Sequence, residues 1–450
     1  MWFRSILDSA NSDSAAAPRR SKTRRPSRPR AAIPLKLEAL ENRCLLSGYQ
    51  QTDLVGYQPG TAHHTDPNLN GWGMTAMPGG EFVVANPFNT GLATFYDKSG
   101  HVLPQTITVP ASAAQPFGPV GEPTGVVYNA TSDFVISANG KHAPALLIFD
   151  TLDGTISGWN PAVDPTHAIV MVDNGAAGDL YTGLEFAQNS HGQNVLYATD
   201  FGHNRVEMLV GSFNATPSYF TDPTVSSVDA SLGAWSVQAV NGELYVTWAS
   251  LTDFASGVVD VFDTDGNLLT PTHFAANGPG AGPLENPWGI TQAPANFGQY
   301  SGDLLIGNVA GAGNINVFNP STGAYLGQLD QPDGAPIAIT GLWDLEFGDG
   351  TPDSGKTNQL FFDAGPNAPL VSGYGLFGVI HAAGDQGGNG GGGDVPQVPA
   401  PAQPVPVSIQ AIPVPYLGEQ AGNQAQISPN AAGVAANRAR DQVFADLEGA

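Results

Sequence analysis

Three sets of polar residues have the types and spacing that chemistry needs. His63, His64 and Asp66 stand in one short run. A His-His-x-Asp run offers two imidazoles and a carboxylate to a metal ion or a proton transfer. It also reads as a plain loop with Asp-Pro-Asn as its turn. Asp200, His203 and Arg205 form a second candidate ligand-binding set, in which a salt bridge to a nearby acid is the expected role of Arg205. The third set is Asn86, Asp200, Asn308 and Asp363, each at the end of a short apolar run (FVVAN, LYATD, LLIGN, LFFDA). Oxygen ligands brought together from such ends suit Ca²⁺ or Mg²⁺. Side chains of this kind also cap loop amides. Asp263-Thr-Asp265-Gly-Asn267 resembles the start of a calcium loop, without the later glycine spacing and closing Glu that such a loop needs. The sequence has no nucleophile elbow, phosphate loop, zinc pattern or pair of cysteines.

The elements that must position these residues come from a repeat. Six segments each open on a Trp-Gly, Thr-Gly or Gly-Leu phrase, with anchors at Trp72, Thr124, Thr182, Trp235, Trp288 and Trp343. An apolar strand and a turn follow, then a strand of the type FVVAN, FVISA, LYATD, LYVTW, LLIGN or LFFDA, then a third strand ending in a turn. This spacing fits a four-stranded β-propeller blade with generous loops. The expected fold is therefore all-β: one six-bladed propeller over residues 49–381. TDLVGYQ (52–58) precedes the first segment and has no blade of its own. It is expected to supply the outer strand of blade six and close the ring, which removes an exposed edge. A seven-bladed ring with an irregular blade near 164–173 is the alternative.

The repeat also filters the chemistry. DKSG at Asp97 and NPSTG at Asn319 occupy the slot of the Asp263 loop, so that slot reads as a β-turn. Recurrence of Asn or Asp at the second-strand ends argues for a shared structural task. Trp72, Trp235, Trp288 and Trp343 open their repeats and are expected in the core. Trp159 and Trp248 lie elsewhere and are expected to be freer to line a ligand surface.

Composition narrows the class. The chain has 450 residues and a net charge of −24, with only 12% charged residues. Of its 16 Lys and Arg, ten lie at or before position 50; residues 51–380 hold 30 Asp and Glu against four basic residues, a net of −26. A field of that sign repels nucleic acid and anionic membrane. One cysteine, Cys44, allows no intrachain disulfide. No apolar run is long enough for a transmembrane helix.

Two resemblances add to this reading. LEALENRCLLSG is similar to the L-E-x-R-x-L-L-S motif of exported bacterial surface proteins, through Leu40, Glu41, Arg43, Leu45, Leu46 and Ser47. The resemblance implies export. The phrases NPWGI, LYATDFGHNRVEM, GVVDVFDTDGNLL and GLWDLEFGDG resemble NHL-type six-bladed propellers and an uncharacterised bacterial family of secreted propellers. That resemblance implies the fold and brings no activity.

The expected organisation is a disordered basic targeting segment (1–48), the propeller (49–381), a Gly/Pro-rich linker (382–427) and a short C-terminal helix (428–450). The first functional expectation is an exported monomeric binding module, extracellular, at the cell surface or periplasmic, with a protein or carbohydrate ligand. The alternative is a metal-dependent hydrolase or lyase of the lactonase type, with Ca²⁺ in the axial channel. The two part on one feature: an enzyme needs a converging polar set that is not repeated in every blade.

Overall fold

The computed structural model describes residues 48–384, apart from 89, 253, 279, 353 and 366–374. The export-type motif, the linker beyond residue 384 and the C-terminal helix expected at 428–450 lie outside the described residues.

The described chain is a six-bladed β-propeller. Blade 1 is Gly73–Ala76, Phe82–Asn86, Leu92–Tyr96 and Val102–Thr108, paired in chain order from the axis outwards. Blades 3, 4 and 5 repeat this order, with inner strands Tyr181–Gln188, Leu232–Val240 and Pro287–Gln292. Blade 6 runs Leu342–Phe347, Leu360–Ala364 and Leu376–Ala382, and its fourth strand is the N-terminal Tyr49–Gly56. That strand pairs antiparallel with Leu376–Ala382, from Tyr49 opposite Ala382 to Gly56 opposite Leu376. The closing strand is therefore where the sequence places it, beginning three residues earlier.

Blade 2 corrects the repeat. FVISA is not its second strand: Val135–Ala138 pairs with Lys141–Pro144 in an inserted hairpin outside the blade sheet. The second strand is Leu147–Thr151, between Pro123–Tyr128 and Thr155–Trp159. Ile169–Asp173, inside the region of the seven-bladed alternative, is the outer strand of blade 2. Two apolar runs competed for one slot, and apolar pattern alone does not choose between them.

Packing explains why this ring forms. Six buried clusters lie between successive blades, among them Val83, Phe95 and Phe149 between blades 1 and 2, and Phe297, Leu305 and Phe362 between blades 5 and 6. Each blade is apolar on both faces because each face meets a neighbour. This is why the strands read as near-continuous apolar runs instead of alternating ones.

A seventh cluster sits on the axis. Trp72, Trp235, Trp288 and Trp343 come from blades 1, 4, 5 and 6 and meet there. Trp72 and Trp343 stack with centroids 3.8 Å apart, and Trp235 lies 5.8 Å from each. The four anchor tryptophans are one aromatic plug. Trp159 and Trp248 are also buried, at 5% and 0% exposure, in the cores between blades 1 and 2 and between blades 3 and 4. The expectation that they line a ligand surface is corrected: interblade packing claims both rings.

Candidate functional site

At the residue after the anchor, the inner strands of several blades lie tight against the next blade. Gly73, Gly125, Gly183 and Gly289 fill that slot in four blades. A Cβ at Gly289 would lie 2.6 Å from the Trp343 carbonyl oxygen, so in blade 5 this slot has no room for a side chain. Blade 4 carries the small Ser236 in this slot, and blade 6 breaks the pattern with a charged residue, Asp344. Two residues further along, at the third position after the anchor, blades 3, 4 and 6 carry Glu185, Gln238 and Glu346. These four side chains line a channel of about 360 Å³ on the axis, whose lining residues come from the inner strands of all six blades. Trp288 of the aromatic plug is also in its wall. No Lys, Arg or His is among the lining residues.

Each of these side chains reaches the inner strand of the next blade. Glu185 Oε2 accepts from Ala239 N at 2.7 Å, and Glu346 Oε2 from Ala76 N at 2.9 Å. Asp344 Oδ2 accepts from Met74 N at 3.0 Å, and Oδ1 accepts from Gln238 Nε2 at 2.9 Å. Gln238 Oε1 in turn accepts from Ile290 N. The amides so bound are on the inward edge of each inner strand, which has no further strand to pair with. Each bond engages one lone pair and leaves the carboxylate with further acceptor capacity.

Burial pushes these acids up. Glu185 rises from its ordinary 4.5 to about 7 and Asp344 from 3.8 to about 6. Glu346 is raised well above its usual range by burial and then by the charges of Asp344 and Glu185. Asp363, behind Asp344, is raised by burial and by Asp344. Elsewhere in the ring, burial also lifts Asp150 and Glu122 to about 7.

An acid whose pKa is raised on folding keeps its proton in the native chain where the unfolded chain has lost it. Its stabilising effect is complete below the unfolded pKa and declines as pH rises through the folded one. For Glu185, Asp150 and Glu122 the window runs from about 4 to about 7. The metal-free propeller should therefore melt at least about 3 °C higher at pH 5 than at pH 8. Calorimetric scans across that range check this. The turn aspartates Asp97, Asp263 and Asp349, held low by local hydrogen bonds, act in the opposite sense only at still lower pH.

The residues singled out in the sequence fall in three places. Asp200, His203 and Arg205 do come together, joined by Asp179. His203 Nδ1 is 2.8 Å from Asp200 Oδ2 and 3.0 Å from Asp179 Oδ1. Arg205 Nε is 3.1 Å from Asp200 Oδ2, Nη2 is 3.5 Å from Asp179 Oδ1, and its Cζ lies 3.9 Å from the centre of the Tyr219 ring. Asp200 raises His203 above its usual pKa. The guanidinium already supplies the positive charge that this pair of acids requires.

His63, His64 and Asp66 do not form one site. His64 is on a short strand added outside the closing strand, with its ring 4.9 Å from that of His101. Asp66 turns inwards instead, accepting from Tyr96 Oη at 2.9 Å and from Asn68 N at 2.9 Å.

Asn86, Asp200 and Asn308 share one slot. Their side-chain oxygens accept from the loop amides of Asn70, Leu180 and Glu285 at 2.7, 3.1 and 3.1 Å. Asp363 is not their counterpart. Pro287 pairs with Asn308 and Tyr181 with Asp200, each just before the anchor; in blade 6 the same position, Leu342, pairs with Ala364. Asp363 is one residue earlier, on the opposite face of its strand. It accepts from Asp344 N at 2.9 Å, as Asp150 does from Gly125 N at 2.5 Å. The oxygens of the four therefore do not converge, and the donor set does not fit a single axial Ca²⁺. The Asp263 loop is a turn like those at Asp97 and Asn319: Asp263 Oδ1 accepts from Asp265 N and Asn267 N, and Gly266 N bonds back to the Asp263 carbonyl.

No family model matches the chain. Among curated proteins it is similar to "Uncharacterized protein L690" of Acanthamoeba polyphaga mimivirus, 30% identical over 317 residues that cover 67% of this chain and 78% of the relative. The chain belongs to the L690 family. A second mimivirus member, "Uncharacterized protein R648", is 29% identical over 325 residues, covering 69% of this chain and 75% of the relative. Solved structures that superpose on this L690-family chain include a protein of unknown function from Bacteroides thetaiotaomicron (9% identity, 75% and 76% of the two chains, TM-score 0.44) and U3-55K (13%, 74% and 98%, 0.41). A luciferin-regenerating enzyme superposes with 10% identity over 70% and 92% of the chains, at a TM-score of 0.39. Likenesses of this size bring no ligand and no activity to the L690 family.

Proposed function

We propose that the protein is an exported binding propeller whose axial channel takes a hard cation of the Ca²⁺ class. The observation that carries this is the channel wall: Glu185, Asp344 and Glu346 break the repeat, face one space and have no basic partner among the lining residues. Three carboxyls raised by burial and by one another gain most from a cation that restores their charged form. An all-oxygen set suits Ca²⁺ better than a softer metal. Export is supported by the L-E-x-R-x-L-L-S resemblance and the acidic body, and would put the protein extracellular, at the cell surface or in the periplasm, where free Ca²⁺ is not kept scarce.

Calcium titration followed by calorimetry and thermal unfolding tests the reading. Ca²⁺ should raise the melting temperature of the wild type at pH 7.5, and Glu185→Gln with Glu346→Gln should abolish the shift. Absence of any shift with Ca²⁺ or Mg²⁺ removes the proposal.

A hydrolase or lyase of the lactonase type is the second reading. It is favoured by one observation, the rise of Glu185 to about 7, which suits a general acid or base at neutral pH. Ca²⁺-loaded protein that leaves lactone and ester substrates intact rules this out without touching the binding proposal.

A further inference from the structure

A second cluster, away from the axis, has the composition of the Arg205 site without its arginine. Asp260 is on the third strand of blade 4 (Gly257–Asp263), and His273 lies on the connection to the fourth (Ala275–Asn277). Asp222 follows the outer strand of blade 3 (Ser218–Phe220). Asp222 and Asp260 are 1% and 0% exposed. His273 Nδ1 is 2.8 Å from Asp260 Oδ1 and 3.4 Å from Asp222 Oδ2.

The two acids are not satisfied. Asp222 Oδ1 accepts from Thr224 N and Oγ1, both at 2.7 Å, but Asp222 Oδ2 and Asp260 Oδ2 are buried with no other donor bonded to them, and the two carboxyls can bond to one another only by sharing a proton. Buried carboxylates without compensation are costly, and two side by side more so. Burial lifts Asp260 to about 7; His273 pulls it down and Asp222 pushes it up. In the otherwise similar Asp179–Asp200–His203 cluster a guanidinium sits between the acids. No Lys or Arg is paired with Asp222 or Asp260 among the described residues.

The backbone is shaped to aim the imidazole. His273 has φ 61°, a left-handed conformation that a non-glycine residue adopts at a cost. The His273 side chain is 12% exposed, so it is the member of the cluster that meets solvent.

We propose that Asp222, Asp260 and His273 bind a divalent transition-metal ion of the Zn²⁺ class, which takes the place that Arg205 fills in the neighbouring blade. One imidazole nitrogen and two carboxylates are a three-ligand set for such an ion, with a fourth position left to water. With bonds of about 2.0–2.1 Å, tetrahedral ligand atoms stand about 3.3–3.4 Å apart. The His273–Asp222 separation already has that value, and the His273–Asp260 pair needs to open by about half an ångström. The imidazole distinguishes this site from the all-oxygen axial channel in both place and preferred ion.

Calorimetric titration of the untagged full-length chain with Zn²⁺, after dialysis against EDTA, tests this. Co²⁺ serves as the visible-absorption probe. The expected result is a site lost, or weakened more than about ten-fold, in Asp260→Asn and in His273→Gly, and unchanged in Glu185→Gln/Glu346→Gln. Glycine is chosen at 273 because it tolerates the left-handed backbone. Wild type that binds neither ion, or variants that bind as wild type does, overturn the proposal. Should the variants fail to fold, anomalous scattering at the zinc edge from wild-type crystals decides: zinc on His273 Nδ1 supports the site, and zinc elsewhere or nowhere overturns it.

Discussion

Removing residues 1–59 should abolish the folded monomer, whereas removing residues 1–47 should leave it intact. The longer deletion takes away the closing strand, which carries the pairing from Tyr49–Ala382 to Gly56–Leu376. It also takes Tyr49, Leu54 and Val55 out of the cores on both sides of blade 6. Tyr49 does more than fill space. Its amide bonds to Asp330 O at 2.8 Å and its hydroxyl accepts from Tyr300 N at 3.2 Å, so one residue ties blade 5 to blade 6. Three buried apolar side chains at about 1.5–3 kcal/mol each match much of the 5–15 kcal/mol by which a domain is stable. The strand Leu376–Ala382 would become an open edge, a template for pairing with another chain. Circular dichroism and size-exclusion chromatography should show loss of the cooperative melt and a shift to aggregates. A monomeric 60–450 chain with wild-type melting would refute the closure argument.

That closing strand was legible because a ring has a countable stoichiometry: six anchors and three clear strands in the last segment left one strand to be found. The same counting failed locally in blade 2. FVISA and LLIFD are both short, apolar and rich in branched residues, and only pairing tells which lies in the sheet. The slip also hid Asp150, which shares with Asp363 the bond to the residue after the anchor.

The axial carboxylates were within reach of the sequence but were not found. Comparing second-strand ends picked out four residues, of which Asn86, Asp200 and Asn308 proved to be caps for loop amides and Asp363 a bond to the inner strand. The same comparison applied to the residue after each anchor gives Gly, Gly, Gly, Ser, Gly and Asp344. The departure of Asp344 from glycine is the signal. The Asp222–Asp260–His273 cluster offered nothing comparable, because its members come from two blades and a loop whose backbone sets the direction of the imidazole. His63, His64 and Asp66 show the converse: closeness in sequence does not gather them, since His64 lies on the outermost strand against His101 while Asp66 is buried against Tyr96.

Trp343→Ala should cost about 3–5 kcal/mol, the range for truncating a buried tryptophan, and lower the melting temperature by roughly 4–7 °C in a propeller of this size. Trp343 is 1% exposed and touches the other three rings of the plug, stacked on Trp72 and edge-on to Trp288 at 6.3 Å. Blades 1, 4, 5 and 6 all lose an axial contact at once, so the cavity cannot be closed by one neighbour moving in. Its neighbours are also held elsewhere: Trp288 Nε1 donates to Thr182 O of blade 3 at 3.0 Å. The plug and the acidic channel are successive layers of the same inner strands, since Asp344 follows Trp343 directly. Loss of the ring should therefore loosen the Asp344–Gln238 and Asp344–Met74 bonds and weaken Ca²⁺ binding along with stability. Trp343→Phe, which keeps an aromatic face towards Trp72, should recover more than half of both. Near-ultraviolet circular dichroism reports the coupled tryptophans and calorimetry reports the rest. If Trp343→Ala melts as the wild type does, the rings only occupy the axis and do not hold the blades to it.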